Sequence, residues 1–237
     1  MSGAVRQGTP RTMAINLLDN PVWHALLGPH RPVAIGHGLA RHYPRDMAPF
    51  SAIAEASDDA YADLARDLPS GTEARLFRPD DEPLPRGWEQ LDRFPLLQMV
   101  AHAAPDATSD AVSLLTEIDT GAMMDLVAIA KPGPFGPRTP SLGRYVGVKE
   151  GDRVVAMAGE RLRLPGHVEL SAICTHPEVR GRGYGAALTQ ALMRMALDGG
   201  DVPFLHVRPE NSSAVALYKR LGFETRRELV VLWRRPL

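Results

Sequence analysis

The sequence predicts an α/β protein of the α+β type, with a smaller α/β unit over residues 1–95 preceding a larger one over residues 96–237. Three observations predict it. In residues 167–175, Val168, Leu170, Ala172 and Cys174 alternate with Glu169, Ser171, Ile173 and Thr175, the period of two that marks a strand. A glycine-rich turn from Arg180 to Gly185 follows at once, and Tyr184, Ala187, Leu188, Ala191, Leu192 and Met195 then recur at helical spacing. Residues 145–148 and 154–160 are two apolar runs joined by a Gly-containing turn, which reads as a hairpin.

Composition narrows the classes. A chain of 237 residues suffices for one large or two small domains with a sizeable core. Its 44% hydrophobic and 23% charged residues are those of a soluble globular protein. No apolar run is long enough to span a membrane, and the first residues have no apolar leader, so the cytoplasm is the expected compartment. The single cysteine, Cys174, excludes an intrachain disulfide and a CxxC zinc site, and no histidine spacing suggests a metal. Net charge is −1, which gives no support for a nucleic-acid or anionic-membrane partner. Residues 1–95 carry 10 Arg against 13 acidic residues, while the remainder carries a small positive excess.

Taken in order, residues 1–20 lack any period and read as a loose arm. Asn20 followed by Pro21 starts a short helix through Leu27, with Asn20 as its cap. Residues 32–40 and 50–55 read as strands. Ser57 caps a helix that places Tyr61, Leu64, Ala65 and Leu68 on one face, and residues 73–78 form another strand before a Pro-rich acidic loop at 79–87. In the larger unit, residues 96–101 read as a strand, and Ser109 as the cap of a helix carrying Val112, Leu115 and Ile118. Residues 121–131 read as a second helix or its continuation, and 132–143 form a breaker-rich loop. After the opening strand, turn and helix, Gly199 and Gly200 stop the chain, residues 202–207 form a strand, and Asn211 or Ser212 caps a helix ended by Gly222. Residues 223–233 close as a long strand.

The strand–turn–helix over 167–198 aims a row of backbone N–H groups and a helix N-terminus at one point, a ready site for phosphate, with Arg180 and Arg182 beside it. The turn is neither GxGxxG nor a Walker sequence, which disfavours a dinucleotide oxidoreductase or an NTPase. Arg180, Gly183 and Gly185 resemble the phosphate signature of the GNAT superfamily of acyl-CoA-dependent N-acyltransferases. Asn211, Ala214, Leu217, Tyr218, Gly222 and Phe223 match the pattern of that family's last helix, and the spacing between the two motifs also fits. The resemblance covers residues 96–237; Gly133 to Thr139 is similar, more weakly, to the branch related to glycine N-acyltransferases.

The resemblance implies a mixed, mostly antiparallel twisted sheet flanked by helices, acetyl-CoA or another acyl-CoA as co-substrate, and an amine acceptor on a small molecule, amino acid or peptide. It implies direct attack in a ternary complex, with no metal. The turn Arg180, Gly181, Arg182, Gly183, Tyr184 and Gly185 would take the pyrophosphate, and the strand edge at Ile173, Cys174 and Thr175 the pantetheine arm. Tyr218 would protonate the leaving thiolate; the alternative is a core tyrosine. An α-amine with pKa near ~8 needs a proton acceptor at neutral pH, and Glu169 is the first candidate, followed by Glu160 and His176; the alternative for Glu169 is a structural ion pair. Asn211 either caps its helix or meets a pantetheine amide. Cys174 reads as a small core residue because nothing activates it as a nucleophile. Arg138 or Arg144 is a candidate to meet an acceptor carboxylate; the alternative for each is an ordinary surface arginine. The first 95 residues are open to three roles: covering the acceptor groove, pairing two copies into a homodimer, or stabilising the fold. A non-catalytic acyl-CoA sensor or interaction protein is the rival reading.

Overall fold

Two long antiparallel strands organise the sheet. In the computed structural model, which describes residues 16–105 and 109–237, β4 (Trp88–Val100) and β10 (Glu224–Pro236) pair along their full lengths, from Val100 opposite Glu224 to Trp88 opposite Pro236. β3 (Ala74–Arg78) adds to the far edge of β10, and β9 (Val202–Val207) to the free edge of β4. β8 (His167–Thr175), β7 (Arg153–Leu164), β6 (Tyr145–Glu150) and β5 (Ser113–Leu115) complete the order β3-β10-β4-β9-β8-β7-β6-β5. Only β8 and β9 run parallel, because α4 (Tyr184–Asp198) carries the chain back between them as a crossover. The mixed, mostly antiparallel sheet is the expected one. A separate two-stranded sheet joins β1 (Ala40–His42) to β2 (Ser51–Ile53).

Alternation along the strands builds two cores. Met99, Val146, Leu170, Leu205 and Phe223 face α4 and α5 (Ser212–Arg220), whose Leu188, Leu192 and Tyr218 pack on them. Phe77, Leu96, Phe204 and Val231 point to the opposite face, against Val22 and Leu26 of α1 (Pro21–Leu27). α2 (Asp58–Asp67) closes a third cluster with Tyr61, Leu64, Leu76, Trp88 and Leu232, and α3 (Thr120–Ala130) a fourth with Met123, Leu126 and Tyr145. Each fully buried large side chain contributes about 1.5–3 kcal/mol. α4 and α5 therefore cover one face of the sheet and α1 the other, while α2 packs on Leu76 and Leu232, which alternate with Phe77 and Val231 and so point away from α1.

Several local expectations hold and others fail for identifiable reasons. Ser57 caps α2 by accepting from the Ala60 N–H at 3.3 Å. Asn20 does precede Pro21, but its carboxamide donates to the Ile53 carbonyl at 2.7 Å instead of capping α1. Residues 32–40 are not a strand. A 3-10 turn at Arg31–Val33 and one bridge from Ile35 to His42 replace it, because Gly36 and Gly38 take left-handed conformations that break the extension. No helix starts at Ser109 in the described residues: Ser113–Leu115 pairs with the open edge of β6, Leu115 is buried, and Ile118 lies exposed. Tertiary pairing outweighed the helical spacing there. The loose arm expected at the amino terminus lies, through residue 15, outside the described residues.

The division at residue 95 falls inside β4, and β3 is hydrogen-bonded to β10. Removing residues 1–90 would strip β3 from one edge of β10 at Val230 to Arg234, take the last β4 partners from the other edge at Arg234 to Pro236, and uncover the apolar side chains of Val231 and Leu232. The truncated chain is expected to aggregate or to lose cooperative urea unfolding monitored by circular dichroism; a soluble chain with a sharp transition would show residues 91–237 to be autonomous.

Candidate active site

β8 and β9 pair at only three positions, His167 with Val202, Val168 with Pro203 and Glu169 with Phe204, and then diverge. Beyond that point the edge of β8 facing β9 has no strand partner. Its other edge stays on β7, with Cys174 opposite Met157 and Thr175 opposite Ala156. A bulge breaks this pairing between Ser171 and Cys174, and Ala172 sits there at φ 53°. A left-handed non-glycine residue costs about a kcal/mol or more, so the surroundings hold it in place. The bulge turns the backbone of β8 just where its neighbour has departed.

At the end of β8, Pro177–Val179 makes one 3-10 turn and the glycine-rich loop leads into α4. Gly181 and Gly183 both have φ near +80°, and no atom lies within 4 Å of a Cβ added at either, so conformation, not crowding, requires glycine. Gly183 is the N-cap position of α4, and no side chain covers the first amides of that 15-residue helix. Arg180 lines the opening. Arg182 turns away to Glu150 of the β6–β7 hairpin at 3.2 Å and does not line it. On the opposite wall, Asn211 caps α5 by accepting from the Ala214 N–H at 3.2 Å, and Tyr218 lines the opening from the middle of that helix. The result is a single cavity of about 1120 Å³ reached by Ile173 to Thr175, the 180–185 loop and Tyr218.

Glu169 marks where the strands part, and it is fully buried. Arg161 grips it with two bonds, Nε to Oε2 at 2.8 Å and Nη2 to Oε1 at 2.6 Å, and His206 Nδ1 lies 2.7 Å from Oε1. Burial pushes this carboxyl up, but the Arg161 guanidinium and the His206 ring outweigh it and hold the pKa down at about 2. The far ring nitrogen of His206 meets Gln98 Nε2 at 3.0 Å, and Gln98 in turn donates to the Leu18 carbonyl and accepts from Arg226. A neutral ring with its proton on Nδ1 satisfies both contacts, donating to Glu169 and accepting from Gln98. Sequence reasoning named Glu169 but missed Arg161, His206 and Gln98. The one signal was that Arg161 and His206, each polar in an apolar strand, flank the position where Glu169 breaks its own strand's pattern.

The other candidates are occupied elsewhere. Glu160 is buried and bound by Arg144 and Arg163. His176 Nδ1 accepts from the Glu178 N–H at 3.3 Å. Arg138 pairs with Asp46, and Arg144 with Glu160, so neither is free for an acceptor. Burial pushes Cys174 up to about 12. Among the described residues no group of three or more His, Cys, Asp or Glu is arranged to hold a metal, and no helix is long and apolar enough to cross a membrane.

The FR47-like protein family matches residues 145–232. The crystal structure of a putative acetyltransferase from the GNAT family of Novosphingobium aromaticivorans is similar over 94% of this chain and 100% of its own, with 34% identity and a TM-score of 0.87. The chain belongs to the GNAT family. A GNAT structure from Kribbella flavida shares the fold at 21% identity and TM-score 0.58, covering 90% of this chain and 93% of its own. The N-alpha-acetyltransferase RimI of Mycobacterium tuberculosis is 39% identical over 83 residues, which is 34% of this chain and 51% of that protein. A mycothiol acetyltransferase of Corynebacterium jeikeium is 43% identical over 68 residues, 28% of this chain and 18% of its own. The matches thus span about half or less of the curated relatives.

Two consequences of this GNAT site are measurable. Glu169 has a folded pKa of about 2 against an unfolded value near ~4.3, so its stabilisation is complete above the higher value and lost as pH falls toward the lower. Glu169→Gln is expected to lower urea-derived stability at pH 7 by about 2–4 kcal/mol, by leaving Arg161 uncompensated, and to flatten the loss of stability between pH 4.5 and 2. Unchanged stability at pH 7 would exclude the anchoring role. Cys174, at about 12, carries a thiolate fraction on the order of 10⁻⁴ at pH 8, so iodoacetamide should label it far more slowly than free cysteine when followed by mass spectrometry.

Proposed function

We propose that the protein is an N-acetyltransferase that moves an acetyl group from acetyl-CoA to a primary amine of a small molecule, amino acid or peptide, by direct attack within a ternary complex. One observation carries the reading: the amide-lined turn, the unpaired edge of β8 and Tyr218 converge on a single cavity. The turn and the start of α4 suit a pyrophosphate, since free N–H groups and the helix dipole both favour anions. The edge at Ile173 to Thr175 suits the amides of a pantetheine arm, which can pair with it as an added strand. The similarity to an N-alpha-acetyltransferase and a mycothiol acetyltransferase supports acetyl as the transferred group. The reading carries a cytoplasmic location with it, because the donor thioester is an intracellular metabolite.

In the transfer, the amine nitrogen bonds to the thioester carbonyl carbon, the oxygen gains charge, the C–S bond then breaks, and the nitrogen releases its extra proton to solvent. The edge of β8 beyond Glu169, which β9 leaves unpaired, offers backbone N–H groups suited to the charged oxygen. Tyr218 serves the departing sulfur. Burial pushes its pKa up to about 12, so its proton is in place at every working pH. An ordinary thiol has a pKa near ~8.5, too low for its thiolate to strip that proton outright. Tyr218 therefore stabilises the sulfur as a hydrogen-bond donor, and a proton reaches the sulfur as the amine gives one up. Glu169, with both oxygens engaged and a pKa of about 2, fits an anchor for Arg161 and His206 better than a direct base. The amine then reacts through its own neutral fraction, about a tenth for an α-amine at pH 7.

Amine-dependent CoA release, measured with a panel of amino acids, peptides and polyamines, tests the proposal; acetyl-CoA binding with no release for any amine would favour a sensor. Tyr218→Phe is expected to lower kcat by about 10²- to 10³-fold with acetyl-CoA affinity nearly unchanged, and wild-type turnover would end its role. The rate with a given amine should rise about tenfold per pH unit below that amine's pKa and level off above it. No falling limb is expected up to pH 10, because Tyr218 stays protonated there. A rate flat between pH 6 and 8 would reveal a base within the protein.

A further inference from the structure

The cavity does not end at the acyl site. Past His206 its wall is one face of four adjacent strands, two of them, β3 and β4, supplied in whole or part by residues outside the motif-bearing stretch. Trp233 lies opposite Arg75, and Val231 lies opposite both Phe77 and Phe94, so these side chains share a face across β3, β10 and β4. Arg208, just past the end of β9, continues that face. All line the cavity. Each guanidinium here lies over an aromatic ring: Arg75 3.8 Å from the Trp233 centroid, Arg208 3.7 Å from Phe94 and Arg161 4.7 Å from Phe50. A ring beneath the guanidinium plane orients it and leaves the in-plane N–H groups for a partner.

What Arg75 and Arg208 lack is a carboxylate. Neighbouring arginines on the same strands are paired: Arg78 with Glu82, Arg93 with Asp81, Arg235 with Glu89. Among the described residues no acid lies within ion-pair distance of Arg75 or Arg208, and Arg161 reaches its one acid with Nε and Nη2 only. Arg75 Nε is moreover buried without any hydrogen-bond partner. A buried donor left this way is costly unless something supplies an acceptor. Burial pulls the Arg75 pKa down from its ordinary value, the neighbouring Arg45 adds to this, and the Glu73 carboxylate, which accepts from Trp233 Nε1, opposes it.

We infer that the acceptor is an amine that also carries a carboxylate on an apolar or aromatic body, the carboxylate held by Arg75 and Arg208 and the body lying against Phe77, Phe94 and Trp233. The inference rests on the acetyltransferase reading above and narrows its substrate class. It also assigns a role to the amino-terminal segment: β3 and β4 furnish the recognition wall, and Phe50 backs Arg161.

The test uses the full chain with CoA bound and follows tryptophan fluorescence, to which Trp233 contributes from within the wall. N-acetylphenylalanine, a product-like carboxylate, is titrated beside N-acetylphenylalaninamide, which differs only in lacking the charge. The carboxylate is expected to bind at least about tenfold tighter. Arg75→Gln and Arg208→Gln, made separately, should each erase most of that preference while leaving acetyl-CoA affinity unchanged. Equal binding of the two compounds, binding of neither, a preference that survives both substitutions, or a loss that falls on acetyl-CoA would each overturn the inference. Because the titration reads the wall without turnover, the absence of CoA release with every amine would sink the transferase reading separately.

Discussion

The parting of β8 from β9 is the constraint on which the rest depends, and a buried charge holds it. Taking a carboxylate out of water costs several kcal/mol even after the protein relaxes. Glu169 is offset only because Arg161 on β7 and His206 on β9 both reach it, one from each side of the gap. The interaction thus ties together the two strands flanking β8 at the last point where β8 and β9 still pair. The same ion pair turns Arg161 toward Phe50, so geometry at the acyl site and geometry at the acceptor wall share one anchor.

The amino-terminal segment is built into the sheet: β3 and β4 flank β10, Phe77, Phe94 and Leu96 line the cavity and pack with α1, and Leu76 and Trp88 pack with α2. Arg226 and Asp19 link that segment to Gln98 and through it to His206. A polar chain therefore runs from the first helical turns of the described protein to the base of the cleft, each member satisfied by the next.

The sequence made the cradle and the last helix legible because both are local: glycines at fixed spacing, a strand before and a helix after, an asparagine three residues from the amide it caps. The hairpin at 145–160 was legible for the same reason. What stayed hidden is non-local. The segment at 113–115 has a helical spacing of apolar residues, and only the open edge of β6 makes it a strand. Arg75, Arg161 and Arg208 are scattered over the chain among two dozen arginines, and nothing in their surroundings marks them until the register of four strands brings three of them to one cavity. Glu169 stood out by its spacing, yet the partners that set its charge lie 8 and 37 residues away.

The pairing of β10 with β4 has a consequence for how this chain comes into being. β3 has no strand neighbour but β10, and β4 lies between β10 and β9. Every sheet partner of residues 74–100 thus resides after residue 201, and synthesis, proceeding from the amino end, delivers it last. Through most of translation both strands are bare ladders of N–H and C=O groups flanked by exposed valine, leucine and phenylalanine. Such long-range closure is slow and leaves a nascent chain open to wrong pairing. The thirteen-residue strand β10 acts as a keystone: it must be made and reach its partners before the sheet, and the wall built on it, can exist.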